Sequence, residues 1–196
     1  MPVDLTTETI DVGAFALEVA RPRDADELID EARFDEDEFM PYWAELWKSG
    51  LELARVVSRR ALAGRRVVEL GCGLGLPSLA AARCGAQTLA TDWAPEALEL
   101  LRANALRNNV ELETLVVSWY EPDALLRRAP FDLVLAGDVL YEERNVDALL
   151  ELLPRLGNEV LVAEPGRSTA GRFFTGADGP WTISREGQVS LLRRDG

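Results

Sequence analysis

Apolar and polar positions along the chain change period several times, and each change marks an element. Short apolar runs suited to strands lie at Val67–Leu70, in QTLAT up to Asp92, in LETLVVS up to Ser118, in FDLVLAGDVLY from Phe131, and in EVLVAEP from Glu159. Between them lie helical patterns. Pro77 to Arg83 is a small-residue helix that Gly85 can end, and Pro95 opens PEALELLRANALRNN, with Leu98, Leu101 and Leu106 on or near one face. VDALLELLPRL gives a further amphipathic helix. Upstream, Trp43, Trp47, Leu51, Ala54 and Val57 follow helical spacing behind Pro41 and predict a helix from about Pro41 to Arg59.

Strand and helix alternating in this way give an α/β fold: an open, mostly parallel sheet with helices on both faces. The run FDLVLAGDVLY is almost continuously apolar, as a strand buried on both faces requires. The tail WTISREGQVSLLRR breaks the alternation, with two strand-like pieces around Glu186 and Gly187, and predicts a C-terminal antiparallel hairpin. The chain of 196 residues reads as a single domain, with residues 1–40 as an acidic N-terminal extension and 41–196 as the core. The stretch DADELIDEARFDEDE, from Asp24 to Glu38, carries much of that acidity and reads first as a solvated surface.

Composition then removes chemistries. Histidine is absent, so no Ser/His/Asp triad, Cys/His pair or imidazole base is available, and most zinc sites are excluded. Cys72 and Cys84 lack metal-type spacing and imply no disulfide framework; both are expected to be reduced, and no metal is expected. A net charge of -13 disfavours a general nucleic-acid binder and favours a cationic partner. No run approaches the roughly 18 apolar residues of a membrane span, and the N-terminus lacks the basic start of a signal peptide, so a cytoplasmic protein is expected.

The candidate chemistry centres on ELGCGLG. Gly71, Gly73 and Gly75 allow a sharp turn that can lie against a ligand, while the following helix directs free N–H groups toward it. The spacing is G-x-G-x-G, unlike a dinucleotide fingerprint, and the only lysine, Lys48, is far from the turn, which excludes a P-loop. Asp92 ends the second strand, where a carboxylate can accept both hydroxyls of a ribose, and Trp93 offers a ring face to an adenine. Ser118 and Trp119 end the third strand on the same rim. Taken singly, the glycines can be a bare turn, Asp92 a helix cap and the tryptophans core. Taken in order, they point to an adenosine-containing ligand without a pyrophosphate.

VVELGCGLG, TDW and VVSW, in this order and spacing, resemble the S-adenosylmethionine site of the seven-strand (class I) methyltransferases, whose Rossmann-like sheet closes with such a hairpin. PYWAELW, GDVLYEE and EPGR resemble the branch containing the protein-lysine methyltransferases, especially those modifying the electron-transfer flavoprotein β subunit. The similarity runs from about Pro41 to Arg167; the flanks match poorly. It implies S-adenosylmethionine as cofactor, S-adenosylhomocysteine as product and no metal. The cofactor would be held by Glu69, Gly71, Cys72, Gly73, Gly75, Asp92, Trp93, Ser118 and Trp119, with Trp43 and Trp47 as apolar or cation-binding walls; core packing is the competing role for those two.

The D-x-x-Y signature, Asp138 to Tyr141, would stand beside the acceptor, with Asp138 orienting an incoming amine and Tyr141 capping the methyl path. DVLY lacks the prolines of adenine-N6 enzymes, and no cysteine stands where cytosine-C5 enzymes need one. The resemblance thus implies a monomeric N-methyltransferase acting on a lysine of a protein substrate, with no nucleic acid or membrane partner. A small-molecule (nicotinamide-like) N-methyltransferase and a non-catalytic cofactor-binding protein remain as alternatives. If the acidic stretch recruits a basic partner, neutralising Asp35, Glu36, Asp37 and Glu38 together raises the apparent KM for the acceptor and flattens its salt dependence. Unchanged kinetics would leave the stretch as plain surface.

Overall fold

The computed structural model describes residues 4–25, 28 and 41–194. Seven strands form the main sheet: β3 (Arg66–Leu70), β4 (Gln87–Asp92), β5 (Glu113–Val116), β6 (Leu133–Gly137), β7 (Glu159–Ala163), β8 (Thr182–Glu186) and β9 (Val189–Arg193). Their order is β5-β4-β3-β6-β7-β9-β8. The first five are parallel, whereas β9 runs antiparallel to both β7 and β8. The order reverses between β3 and β6, so the loops after these two strands diverge and leave a crevice at their carboxyl ends.

Side-chain alternation splits the core into two layers. Val67, Leu133, Leu135 and Leu161 point to one face, where they meet α1 (Lys48–Val57), α2 (Leu76–Arg83) and α3 (Pro95–Arg107). Val68, Leu70, Val134, Ala136, Val160 and Val162 point to the other, toward α4 (Asp123–Leu126), α5 (Glu143–Leu156) and α6 (Ala170–Ala177). Both faces are therefore apolar and covered, which is why the central strands read as unbroken hydrophobic runs.

Three features differ from the sequence expectation. The helix expected over 41–59 is two pieces: a 3-10 turn at Tyr42–Ala44, then extended backbone at Glu45 and Trp47, then α1 from Lys48. The four-residue spacing of Trp43 and Trp47 is thus not a helical face. Leu106 of α3 is 78% exposed, and the buried stripe runs through Leu98, Leu101, Asn104 and Ala105 instead. Lastly, residues placed in an N-terminal extension form a hairpin, β1 (Leu5–Asp11) paired antiparallel with β2 (Ala16–Pro22). It buries Ile10, Val12, Leu17 and Val19 in the first layer. Most of the acidic stretch, including Asp35 to Glu38, lies outside the described residues.

Among the described residues no strand pairs with the second edge of β2; side chains at the end of α3 and its C-cap do so. The Asn104 Oδ1 accepts from Ala20 N at 2.8 Å and its Nδ2 donates to Ala20 O at 2.9 Å. One turn later, Asn108 repeats the pattern on Glu18 N and O at 2.9 and 2.7 Å. Two amides at i and i+4 share a helix face and match alternate residues of a strand, so both backbone groups of each residue are satisfied. Asn104 is fully buried, and replacing it with leucine strands a donor and an acceptor at Ala20. Asn104→Leu is expected to cost about 1–3 kcal/mol for each group left unpaired, read as a lowered urea midpoint.

Candidate active site

The crevice at the switch point opens into a cavity of about 280 Å³. All of the residues singled out from the sequence line it except Ser118, whose hydroxyl instead accepts from Tyr120 N at 3.2 Å. The glycine turn forms its floor. Gly71 and Gly75 both have positive φ, at +61° and +71°. A Cβ at Gly71 would come within 2.9 Å of the Trp119 ring, and one at Gly75 within 2.4 Å of the Leu101 side chain. The groups that exclude side chains from this turn therefore include the chain's own Trp119 and Leu101. Trp119 was placed on the rim by its position after the third strand, and here it packs directly on the turn.

Three buried carboxyl groups line the cavity at the ends of adjacent strands. Glu69, 2% exposed on β3, accepts from Ser78 N at 2.8 Å and from the Ser78 hydroxyl. Ser78 is the third residue of α2, so Glu69 supplies the acceptor that the N-cap residue Gly75 cannot. Burial nevertheless pushes the Glu69 carboxyl up to about 8, against the pull of the two Ser78 bonds and with a smaller push from Asp92. Asp92, 4% exposed at the end of β4, accepts from Gly73 N at 2.9 Å and Ala94 N at 3.0 Å. Burial raises its pKa too, opposed by the N–H groups of Ala94, Gly73 and Trp93. Burial likewise lifts the Cys72 thiol well above its ordinary range, with Asp92 and Glu69 adding to the effect, which keeps it protonated.

Asp138 follows β6 in the left-handed region, φ +58°, and is held there by its N–H bond to Ala163 O at 2.8 Å. Asp is among the few side chains that tolerate this conformation. It aims the carboxylate into the cavity. There Oδ1 accepts from Arg167 Nε at 2.8 Å and pairs with Nη2 at 2.7 Å, while Oδ2 accepts from Ser49 Oγ at 2.9 Å. Arg167 also lies over the Trp47 ring, 5.6 Å from its centroid. Its loop is fixed from below by Glu164, whose Oε2 accepts from Gly166 N at 2.6 Å and Arg167 N at 3.1 Å. Sequence reasoning placed Arg167 only at the end of EPGR, and it missed Ser49 altogether.

Aromatic rings form one wall. Tyr141, 37% exposed, lies 6.0 Å from Tyr42, and Tyr42 meets Trp47 edge-on at 6.2 Å. The Trp47 indole N–H donates to Tyr42 O at 2.8 Å, which accounts for the extended break before α1: the indole folds back on the 3-10 turn. Trp93 stays 38% exposed beside Asp92. Among the described lining residues, Glu45, Glu69, Asp92, Asp138 and Glu142 are acidic and Arg167 alone is basic. Such a cavity favours a cation, and its tryptophans offer faces to a flat ring.

The sheet order, the glycine turn and the strand-end carboxyls define the class I S-adenosylmethionine-dependent methyltransferase fold. The Thermus thermophilus 16S rRNA N2 G1207 methyltransferase, solved with AdoMet and guanosine, shares it with a TM-score of 0.71 over 100% of this chain and 52% of that one, at 15% identity. Within that class the chain belongs to the lysine methyltransferase family, whose model matches residues 31–176. The electron transfer flavoprotein beta subunit lysine methyltransferase of Xenopus laevis is 35% identical over 137 residues, 65% of this chain and 54% of that protein. The histone-arginine methyltransferase METTL23 of the same species is 36% identical, over 56% of this chain and 49% of that one. The protein N-lysine methyltransferase METTL21A of Danio rerio is 37% identical, over 50% and 46%. The chain thus spans about half the length of the curated relatives it matches. None of the described helices is long and apolar enough to cross a membrane.

The buried Glu69 sets a pH dependence. Its carboxyl ionises near 4.5 when free and near 8 in the fold, so between those values the folded state holds a proton that the unfolded chain has released. Its contribution to stability is complete below about pH 4.5 and is lost as pH rises through about 8. Urea unfolding should therefore show wild type losing stability relative to Glu69→Gln between pH 5.5 and 7.5, with a slope of at most about 1.4 kcal/mol per pH unit. Parallel curves for the two proteins would show Glu69 already ionised in the fold.

Proposed function

We propose that this chain is an S-adenosylmethionine-dependent N-methyltransferase that methylates a lysine side chain of a protein, acting as a cytoplasmic monomer with residues 41–196 carrying the reaction. The observation behind this reading is that one cavity joins the glycine turn and Asp92 to Asp138 and Tyr141. The residues suit the cofactor. Glu69 is a buried acid lacking a cationic partner among its hydrogen bonds, and a cationic methionine end would supply one. Beyond the N–H groups of Gly73, Ala94 and Trp93, the Asp92 carboxylate has a lone-pair site left for a ribose hydroxyl, and Trp93 and Trp119 line the same cavity.

When bound, S-adenosylmethionine supplies a methyl carbon already activated by its sulfonium, transferred as the N–C bond forms, the S–C bond breaks and the electron pair stays on sulfur. The protein's own work is alignment and exclusion of water. Asp138 orients the amine, Tyr141 closes over the path, and Tyr42 and Trp47 give a lysine side chain an aromatic wall. The proton shed by the amine passes to water. The acidic lining attracts a cationic acceptor, which supports a basic side chain over a neutral small molecule.

Bacterial lysate incubated with the protein and labelled S-adenosylmethionine should yield a labelled protein band that releases methyl-lysine on hydrolysis. Asp138→Ala should lower the labelling on the order of 10²-fold. Label confined to small molecules, or recovered as methyl-arginine, would replace this reading.

A further inference from the structure

We infer that Arg167 is a positioning residue that sets the charge of the acceptor subsite: by pairing with Asp138 it lets the acceptor amine give up its proton there and stand in its neutral, nucleophilic form. This rests on the lysine-methylating reading above and adds a residue and a role to it.

An amine attacks carbon only through a free lone pair. A lysine amine ionises near 10.4, so at pH 7.4 only about one in 10³ is neutral. A lone carboxylate within about 4–6 Å would raise that pKa by a further 1–3 units and reduce the reactive fraction accordingly. Asp138, buried and at the depth of the cavity, would be such a carboxylate if it stood unpaired. The other acidic groups facing the cavity are Glu45, Glu69, Asp92 and Glu142, and its remaining titratable groups are Tyr42, Tyr141 and Cys72. Ionised acids would all push the amine the same way. Arg167 is the lone opposing charge among the described lining residues.

The geometry leaves Asp138 able to orient without trapping. Two Arg167 nitrogens fill Oδ1, and Ser49 takes one site on Oδ2. A carboxylate has about four lone-pair sites, so one remains on Oδ2 to accept an N–H from a neutral amine. Arginine suits the role because its guanidinium stays protonated at any working pH and stacks on an aromatic face, as it does on Trp47. Glu164, beneath the loop, fixes the backbone from which the side chain reaches. A guanidinium serving only to hold that loop would not need to face the cavity.

The test compares wild type with Arg167→Gln, with Arg167→Met, which retains an apolar stem against Trp47, and with the double variant Arg167→Gln/Asp138→Asn. Two readouts are used: binding of n-butylammonium to protein saturated with S-adenosylhomocysteine, and the pH profile of methyl transfer to the acceptor band from lysate. Unpairing Asp138 should tighten n-butylammonium binding about tenfold and move the acid limb of kcat, which reports the bound amine, up by about one pH unit. Turnover near neutrality should fall about tenfold while KM falls with it, and activity should recover at high pH. The double variant should bring both binding and limb back toward wild type.

Weaker n-butylammonium binding in both single variants, with turnover lowered equally at every pH, would make Arg167 a packing residue and overturn the inference. Should wild type label no protein at all, the lysine reading fails, and the n-butylammonium comparison still decides the charge pairing by itself.

Discussion

Carboxyl groups buried at the ends of adjacent parallel strands are the constraint from which the rest of this site follows. Burying an ionisable acid is costly unless hydrogen bonds or a counter-charge compensate it. The three that line the cavity are each compensated differently. Glu69 takes the first turn of α2, Asp92 takes backbone N–H groups of the glycine turn and of its own loop, and Asp138 takes a guanidinium and a hydroxyl. These bonds fix the helix start, the turn and the strap after β7 around one cavity. The side chains that give the cavity its acidic character also hold its walls in place.

The cost of holding them explains the shape of the scaffold. A sheet covered on both faces by apolar layers is stiff, and its strand ends are placed within narrow limits because the interior is close-packed. Glycine at 75 belongs to the same requirement: its absent side chain makes room for Leu101, so the turn is locked to α3 rather than hanging free. The pocket is thus largely preformed.

What could be read from the sequence was local. The glycine turn, Asp92 and Asp138 are legible because each stands at the end of an apolar run, where chain direction alone puts it on the carboxyl edge of a parallel sheet. The break before α1 was hidden because a spacing of four between Trp43 and Trp47 is the same whether or not the intervening backbone is helical; what decides is the Trp47 indole bonding to Tyr42 O. Arg167 was hidden because its partner lies 29 positions away, and pairing over such a separation leaves no periodic trace. The N-terminal hairpin did leave a trace, apolar alternation at Ile10, Val12, Leu17 and Val19, but the acidity downstream drew the whole segment into one polar extension. Ser118 shows the limit of reading by rim position: β5 ends at Val116, and Ser118, in the loop beyond it, turns its side chain back on that loop.

The amides of Asn104 and Asn108 give α3 two tasks at once. Three residues before Asn104, on the same side of the helix, Leu101 fills the gap at Gly75, so the helix bears the N-terminal strands at one point and the glycine turn at the next. The hairpin and the bend at residue 75 thus rest on one helix, on the same side of the sheet, as parts of a single packed layer.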